Sequence, residues 1–217
     1  MEIRGFFWKI NDFLTARHKK PFNIIAGRDG LLYEVRDHFM GRLVTRKRHV
    51  PELDEIKPGF EFSLPKIPGE LLSQAISFFR SYCNQWEQNE VMVQIFYDKL
   101  HKCYFVECPF QYVSKTRIDA EFNPALLHSQ QYVQIGHIHS HNDMEAFFSE
   151  IDNENEKALM IYGVVGRLQF RKPDMLLRVG FGGEFIQLPL EYIFENVDLE
   201  SNVPYPSEWD KRVFIAG

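Results

Sequence analysis

Three histidines, His137, His139 and His141, stand within five positions in the stretch "IGHIHSHNDMEAFFSEIDN", residues 135–153, and Asp152 follows eleven residues after the last. On a β-strand, residues two apart point to the same face, so His139 and His141 can converge on one point. Two imidazoles and one carboxylate form the usual ligand inventory of a catalytic zinc, whose fourth position is left to water. Asp152 supplies the carboxylate if a helix starts at Ser149, because its first turn can face back across a 142–148 loop toward the strand end. A plainer reading competes. Ser149-Glu150-Ile151-Asp152 also has the [ST]-x-x-[DE] form of a helix capping box, which needs no metal. A lone histidine in a strand is ordinarily a hydrogen-bonded structural residue. His137 shares its face with His139 and reads as a support for the ligands, or as a ligand in place of Asp152, although a strand strings three histidines out in a line.

These residues need elements to place them. "YVQIGHIH" alternates Val133, Ile135 and His137 against Gln134, Gly136 and Ile138, as a strand does. "SEIDNENEKALM" reads as a helix beginning at Ser149. Leu72, Ile76, Phe79, Cys83 and Trp86 recur at helical spacing behind Pro68, which predicts a helix over about 69–86. "EVMVQIFYD" and "CYFVECPF" read as two strands joined by a turn around Asp98-Lys99. "IYGVVGRLQF" and "LLRVGFGGEFIQLP" read as two more, the second interrupted by a turn or bulge at Gly182-Gly183. The sum is an α/β fold, a sheet flanked by helices. Residues 1–60 form a small basic, β-rich module with a hairpin turn at Arg28-Asp29-Gly30; Pro51, Pro58, Pro65 and Pro68 punctuate the connection to a main domain over 61–197. Residues 198–217 form an acidic, Pro-containing tail, expected to be an irregular strap.

The pattern His139-Ser140-His141-x7-Ser149-x2-Asp152, with Gly136 three residues ahead, resembles the JAMM motif of the JAB/MPN metalloprotease family. The resemblance implies an MPN/JAB-like (cytidine-deaminase-like) fold in which His139, His141 and Asp152 bind one Zn2+ per chain and Ser149 steadies the tetrahedral intermediate. It also implies a glutamate, at the start of the strand after the first helix, that acts as general base. Glu90, which opens "EVMVQIFY" 49 residues before His139, fits that place; Glu107 in "YFVECP" is the alternative, and Glu87 falls in the predicted helix end. Two positions depart from the family pattern. Val91, Met92 and Val93 stand where many members carry a glycine, and Asn142 stands where many carry proline. "AFFSEIDNENE", "YGVVGRL" and "LRVGFGGEFIQLPLEYIF" are similar to a prokaryotic JAB subgroup associated with ubiquitin-like conjugation systems, including the PRTRC system protein A type. The activity so implied is a zinc metalloprotease, an isopeptidase or peptidase cleaving after the C-terminus of a ubiquitin-like protein. Its partners would be that protein or its conjugates, with the activating and conjugating enzymes of the same system. An extended substrate tail would lie along a sheet edge by strand addition.

Composition narrows the alternatives. With 217 residues, 45% hydrophobic and 15% aromatic, the chain can build one principal core. It has no run of eighteen apolar residues, and early charges interrupt any secretory h-region, so a cytoplasmic protein without a membrane span is expected. Cys83, Cys103 and Cys108 form no CxxC and read as reduced core thiols, without the partners a nucleophile needs. The net charge of −5 conceals an asymmetry, eleven Lys/Arg against five Asp/Glu in residues 1–50 and an acidic remainder. "TRKRH" at 45–49 lacks interleaved aromatics, so a solvated basic face is favoured over a nucleic-acid site. Two other functions stay open: a non-catalytic MPN scaffold, and a metallohydrolase acting on small peptide-like substrates.

Overall fold

The structure is a computed structural model that describes residues 3–83 and 88–216. It divides into two compact units, Met1–Pro58 and Gly59–Gly217.

The first unit is a four-stranded sheet in the order β1 (Arg4–Phe7), β2 (Phe22–Ala26), β3 (Leu32–His38), β4 (Gly41–Lys47), with α1 (Ile10–Thr15) between the first two strands in sequence. Gly30, at φ 75°, makes the turn between β2 and β3, a conformation that suits the expected Asp-Gly hairpin. Its small core is Phe13, Ile25 and Val35. Much of the positive charge is answered locally: Arg42 and Lys19 pair with Asp37 at 2.6 and 2.9 Å, and Arg36 and Lys47 pair with Glu34 at 2.6 and 3.1 Å.

The second unit begins with β5 (Ile67–Pro68) and α2 (Gly69–Ser81). Then come β6 (Met92–Asp98), β7 (Cys103–Glu107), β8 (Phe110–Ser114), β9 (Arg117–Glu121), α3 (Pro124–Leu127), β10 (Tyr132–Ser140), α4 (Glu150–Asn155), β11 (Met160–Gly166), β12 (Asp174–Phe181), β13 (Glu184–Gln187), α5 (Leu190–Ile193), β14 (Phe194–Glu195), a 3-10 turn (Asp210–Arg212) and β15 (Val213–Ile215). The unit is mixed α/β: a six-stranded sheet in the order β13-β12-β11-β10-β6-β7, a three-stranded sheet β15-β8-β9 and the short pair β14-β5.

In the six-stranded sheet only β10 and β11 run parallel; every other neighbour is antiparallel. The pleat then sorts the chemistry. One register line joins Val93, Ile138, Gly163 and Leu177, and this face packs in the main core with Leu72, Ile76 and Phe79 of α2. The neighbouring line joins Gln94, His137, Tyr162 and Arg178 and so lies on the opposite face, with His139 two residues along. Gly136 sits at a register shift in β10, where a Cβ would come within 2.0 Å of the Ile161 carbonyl oxygen. Only glycine allows β10 and β11 to approach there.

The helix read over "SEIDNENEKALM" ends at Asn155, with Met160 already in β11, and Cys103, expected to be a core thiol, is exposed. Three further expectations need correction. The helix predicted over 69–86 stops at Ser81: Tyr82 and Cys83 donate their amides to the carbonyls three residues back, and Cys83 then bridges to Gln88. Residues 84–87, with Trp86 and Glu87, lie outside the described residues. "CYFVECPF" is not one strand. β7 ends at Glu107 and β8 starts at Phe110, because Pro109 has no amide to continue a ladder. The tail after Asn196 is no irregular strap: β15 adds to β8 in parallel, and Phe78 stacks edge-on to both Tyr205 and Trp209 in the core. No helix among the described residues is long and apolar enough to cross a membrane.

Candidate metal centre

The site grows out of the end of β10. Registered pairing with β6 runs to Met92 opposite His139. Ser140 carries the contact one residue further: its amide donates to the Val91 carbonyl at 2.9 Å, and its hydroxyl accepts from the Val91 amide at 2.9 Å. The next residues on the two strands are His141 and Glu90. His141 is fixed from the other side by its amide, which donates to the Val165 carbonyl at 2.8 Å. Beyond it Asn142 turns the chain with φ 51°, and its carbonyl accepts from the Leu168 amide. Proline, locked near −65°, cannot take that conformation, which accounts for asparagine at this position.

His139 and His141 are both 5% exposed, and their Nε2 atoms lie 3.2 Å apart. Asp152 Oδ1 lies 3.6 Å from His139 Nε2. These three residues present one ligand atom each in a cluster that can hold a metal ion. Burial drives His139 down to about 3, with Asp152 opposing, and burial lowers His141 as well. Both rings are therefore neutral at physiological pH, with lone pairs free for a metal. Burial acts to raise Asp152, but His139 and the hydrogen bonds from Ser149 outweigh it and leave the carboxyl below its usual value.

The two carboxylate oxygens of Asp152 face different partners. Oδ2 accepts from the Ser149 amide and hydroxyl, each at 2.7 Å, while Ser149 Oγ accepts from the Asp152 amide at 3.2 Å. That reciprocal arrangement is the capping box at the start of α4. Oδ1 is left to face His139. Ser149→Ala is expected to lower stability by about 1 kcal/mol, measured by urea denaturation, without changing the metal stoichiometry.

Glu90 is 7% exposed, and its amide donates to the Ser114 carbonyl at 2.9 Å. Burial, reinforced by the Asp152 carboxylate, pushes it up to about 8. Glu107 lies elsewhere: it ends β7, two strands away from β10, and its carboxylate takes the Arg212 guanidinium. Of the two glutamates, Glu90 is the one in the electrostatic reach of the triad.

The opposed shifts make the metal-free protein's stability depend on pH. Glu90 keeps its proton in the fold up to about 8 but loses it near 4.5 when unfolded, so its contribution is complete below 4.5 and is lost as pH rises through 8. His139 and His141 run the other way: their contribution is present above 6.5 and lost as pH falls. Thermal denaturation in chelator should show the melting temperature falling from about pH 7 to pH 8.5, a limb that Glu90→Gln flattens.

Arg178 and Glu156 fall outside the motif and join this region only in the folded chain. Arg178 on β12 donates from Nε to Glu156 Oε2 at 2.8 Å and from Nη1 to Asn153 Oδ1 at 2.6 Å. Its guanidinium lies 3.7 Å from the ring centroids of both Phe148 and Phe185. One buried cation thus grips α4 and the residue behind it, holding the helix that carries Asp152. The signal available was an arginine inside the apolar strand "LLRVGF", which requires a buried acceptor. His137 stands apart from the triad, edge-on to Tyr162 at 5.0 Å and beside Glu156.

No protein-family model matches this chain, and no curated protein matches it.

Proposed function

We propose that the chain is a zinc-dependent isopeptidase or peptidase of the JAB/MPN (JAMM) kind, with the corresponding fold, that cleaves after the C-terminus of a ubiquitin-like protein. The observation that carries the reading is the convergence of His139 Nε2, His141 Nε2 and Asp152 Oδ1 at separations of 3.2 and 3.6 Å. Ligand atoms at about 2.0–2.1 Å from a tetrahedral zinc stand roughly 3.3 Å from one another, so the donor set suits this ion in spacing as well as in type. His139, His141 and Asp152 would hold it. Zinc held there would supply an acidified water and a polarised scissile carbonyl.

The chain's own groups supply the rest. Glu90 accepts the proton of the attacking water and delivers it to the leaving amine. Burial first and Asp152 second raise its carboxyl to about 8, close to the range in which a proton carrier is most useful. The Ser149 hydroxyl has one proton, which now goes to Asp152 Oδ2, so it serves a developing oxyanion only by turning away from its cap.

The test is cleavage of a ubiquitin-like protein extended at its C-terminus, through a peptide or an isopeptide bond. Chelation should abolish cleavage and added zinc restore it, and His141→Ala should bind no zinc at this centre and remain inactive. Activity that survives chelation, or equals that on short unfolded peptides, overturns the reading.

A further inference from the structure

The face that presents His139 also carries a polar group left incomplete. Glu156, immediately after α4, is 3% exposed. One of its oxygens, Oε2, takes the Arg178 guanidinium. The other, Oε1, is buried with no hydrogen-bond partner among the described residues and lies 3.7 Å from His137 Nε2, too far for a hydrogen bond. Leaving a buried carboxylate oxygen unsatisfied is costly, and such an orphan points to a bound ion or water. His137, His139 and Glu156 each offer a ligand atom within 4.8 Å of the others.

We propose that the histidine row carries a second metal position, formed by His137, His139 and Glu156, for a divalent transition ion that accepts imidazole and carboxylate ligands. The idea rests on the metal reading of the first triad, because His139 belongs to both sets. An imidazole bridging two ions must lose its second proton, so His139 serves one ion at a time and the two positions compete for it. An ion in the second position leaves His141 and Asp152 unligated, a metal-bound but inactive arrangement. Arg178 neutralises part of the Glu156 charge, so the second position is the weaker of the two. Its place is nonetheless built: the register line of β10 sets His137 on the face of His139, and the clamp on Arg178 holds Glu156 over it.

Zinc titration by calorimetry on the full chain separates the possibilities. Wild type should bind one equivalent tightly. His141→Ala/Asp152→Asn, which retains a cap acceptor at 152, should still bind one equivalent, about tenfold weaker or more. Adding His137→Ala to that pair should weaken binding by a further tenfold or so, and Glu156→Gln in its place should do the same. Circular dichroism verifies that each variant is folded, and the cobalt-substituted absorption band, present in the first pair and lost in both triples, gives a second readout. If the pair binds zinc no better than the triples, the second position does not exist while the first stands. If wild type itself binds no zinc, both fail together.

Discussion

Glu90→Gln should retain its zinc and lose about 10²–10⁴-fold in turnover on a ubiquitin-like conjugate. The expectation is sharp because the substitution is nearly silent for the fold. Glu90 is buried and pushed up to about 8, so the folded metal-free protein holds a neutral carboxylic acid at physiological pH. Glutamine matches that form in size and charge but has no proton to exchange. Zinc stoichiometry by atomic absorption and kcat on the same preparation make the comparison. Full turnover would assign the proton transfer to another group; loss of zinc would make Glu90 part of the ligand cage.

The largest effect on stability is expected at Arg178. Its pair with Glu156 has side-chain exposures of 8% and 2%, and Asn153, Phe148 and Phe185 complete its surroundings. Arg178→Met fills similar volume but strands the Glu156 charge in the interior, a loss of about 3–5 kcal/mol by comparison with other broken buried pairs. Urea denaturation should show a midpoint shift of that size, and Arg178→Met/Glu156→Gln should regain a substantial part of it. Zinc affinity should fall together with stability in the single variant, because the same guanidinium holds the helix that presents Asp152. A single variant as stable as wild type would mean that the pair contributes nothing.

How much of this was legible in the sequence depended on the range of each interaction. His139 and His141 were readable because strand alternation fixes their common face over two residues, and Asp152 because the capping signature places it in a first turn. Both are local rules, and both hold in the geometry. Glu90 is legible only through the resemblance of the motif to JAMM, and not from its own surroundings. Nothing local distinguishes it from Glu107, and what separates them is that Arg212, far away in sequence, claims Glu107. The link between Arg178 and Glu156 depends on the register of β11 against β12, which no short window contains. The parallel pairing of β15 with β8 has the same origin. At the end of α2 the apolar period runs on to Trp86, yet backbone hydrogen bonds at Tyr82 and Cys83 end the helix first. Hydrophobic periodicity states which side would be buried, and not where the chain must turn to meet its next strand.

The divided carboxylate of Asp152 has a consequence for how the centre comes into being. α4 has six residues, too few to persist in water unaided, and its order comes from the box at Ser149 and the grip of Arg178. One carboxylate both starts that helix and completes the triad. Helix and triad therefore form a single cooperative unit: when α4 frays, the Asp152 carboxylate departs with it, and nothing resembling a half-built cluster persists in the unfolded segment.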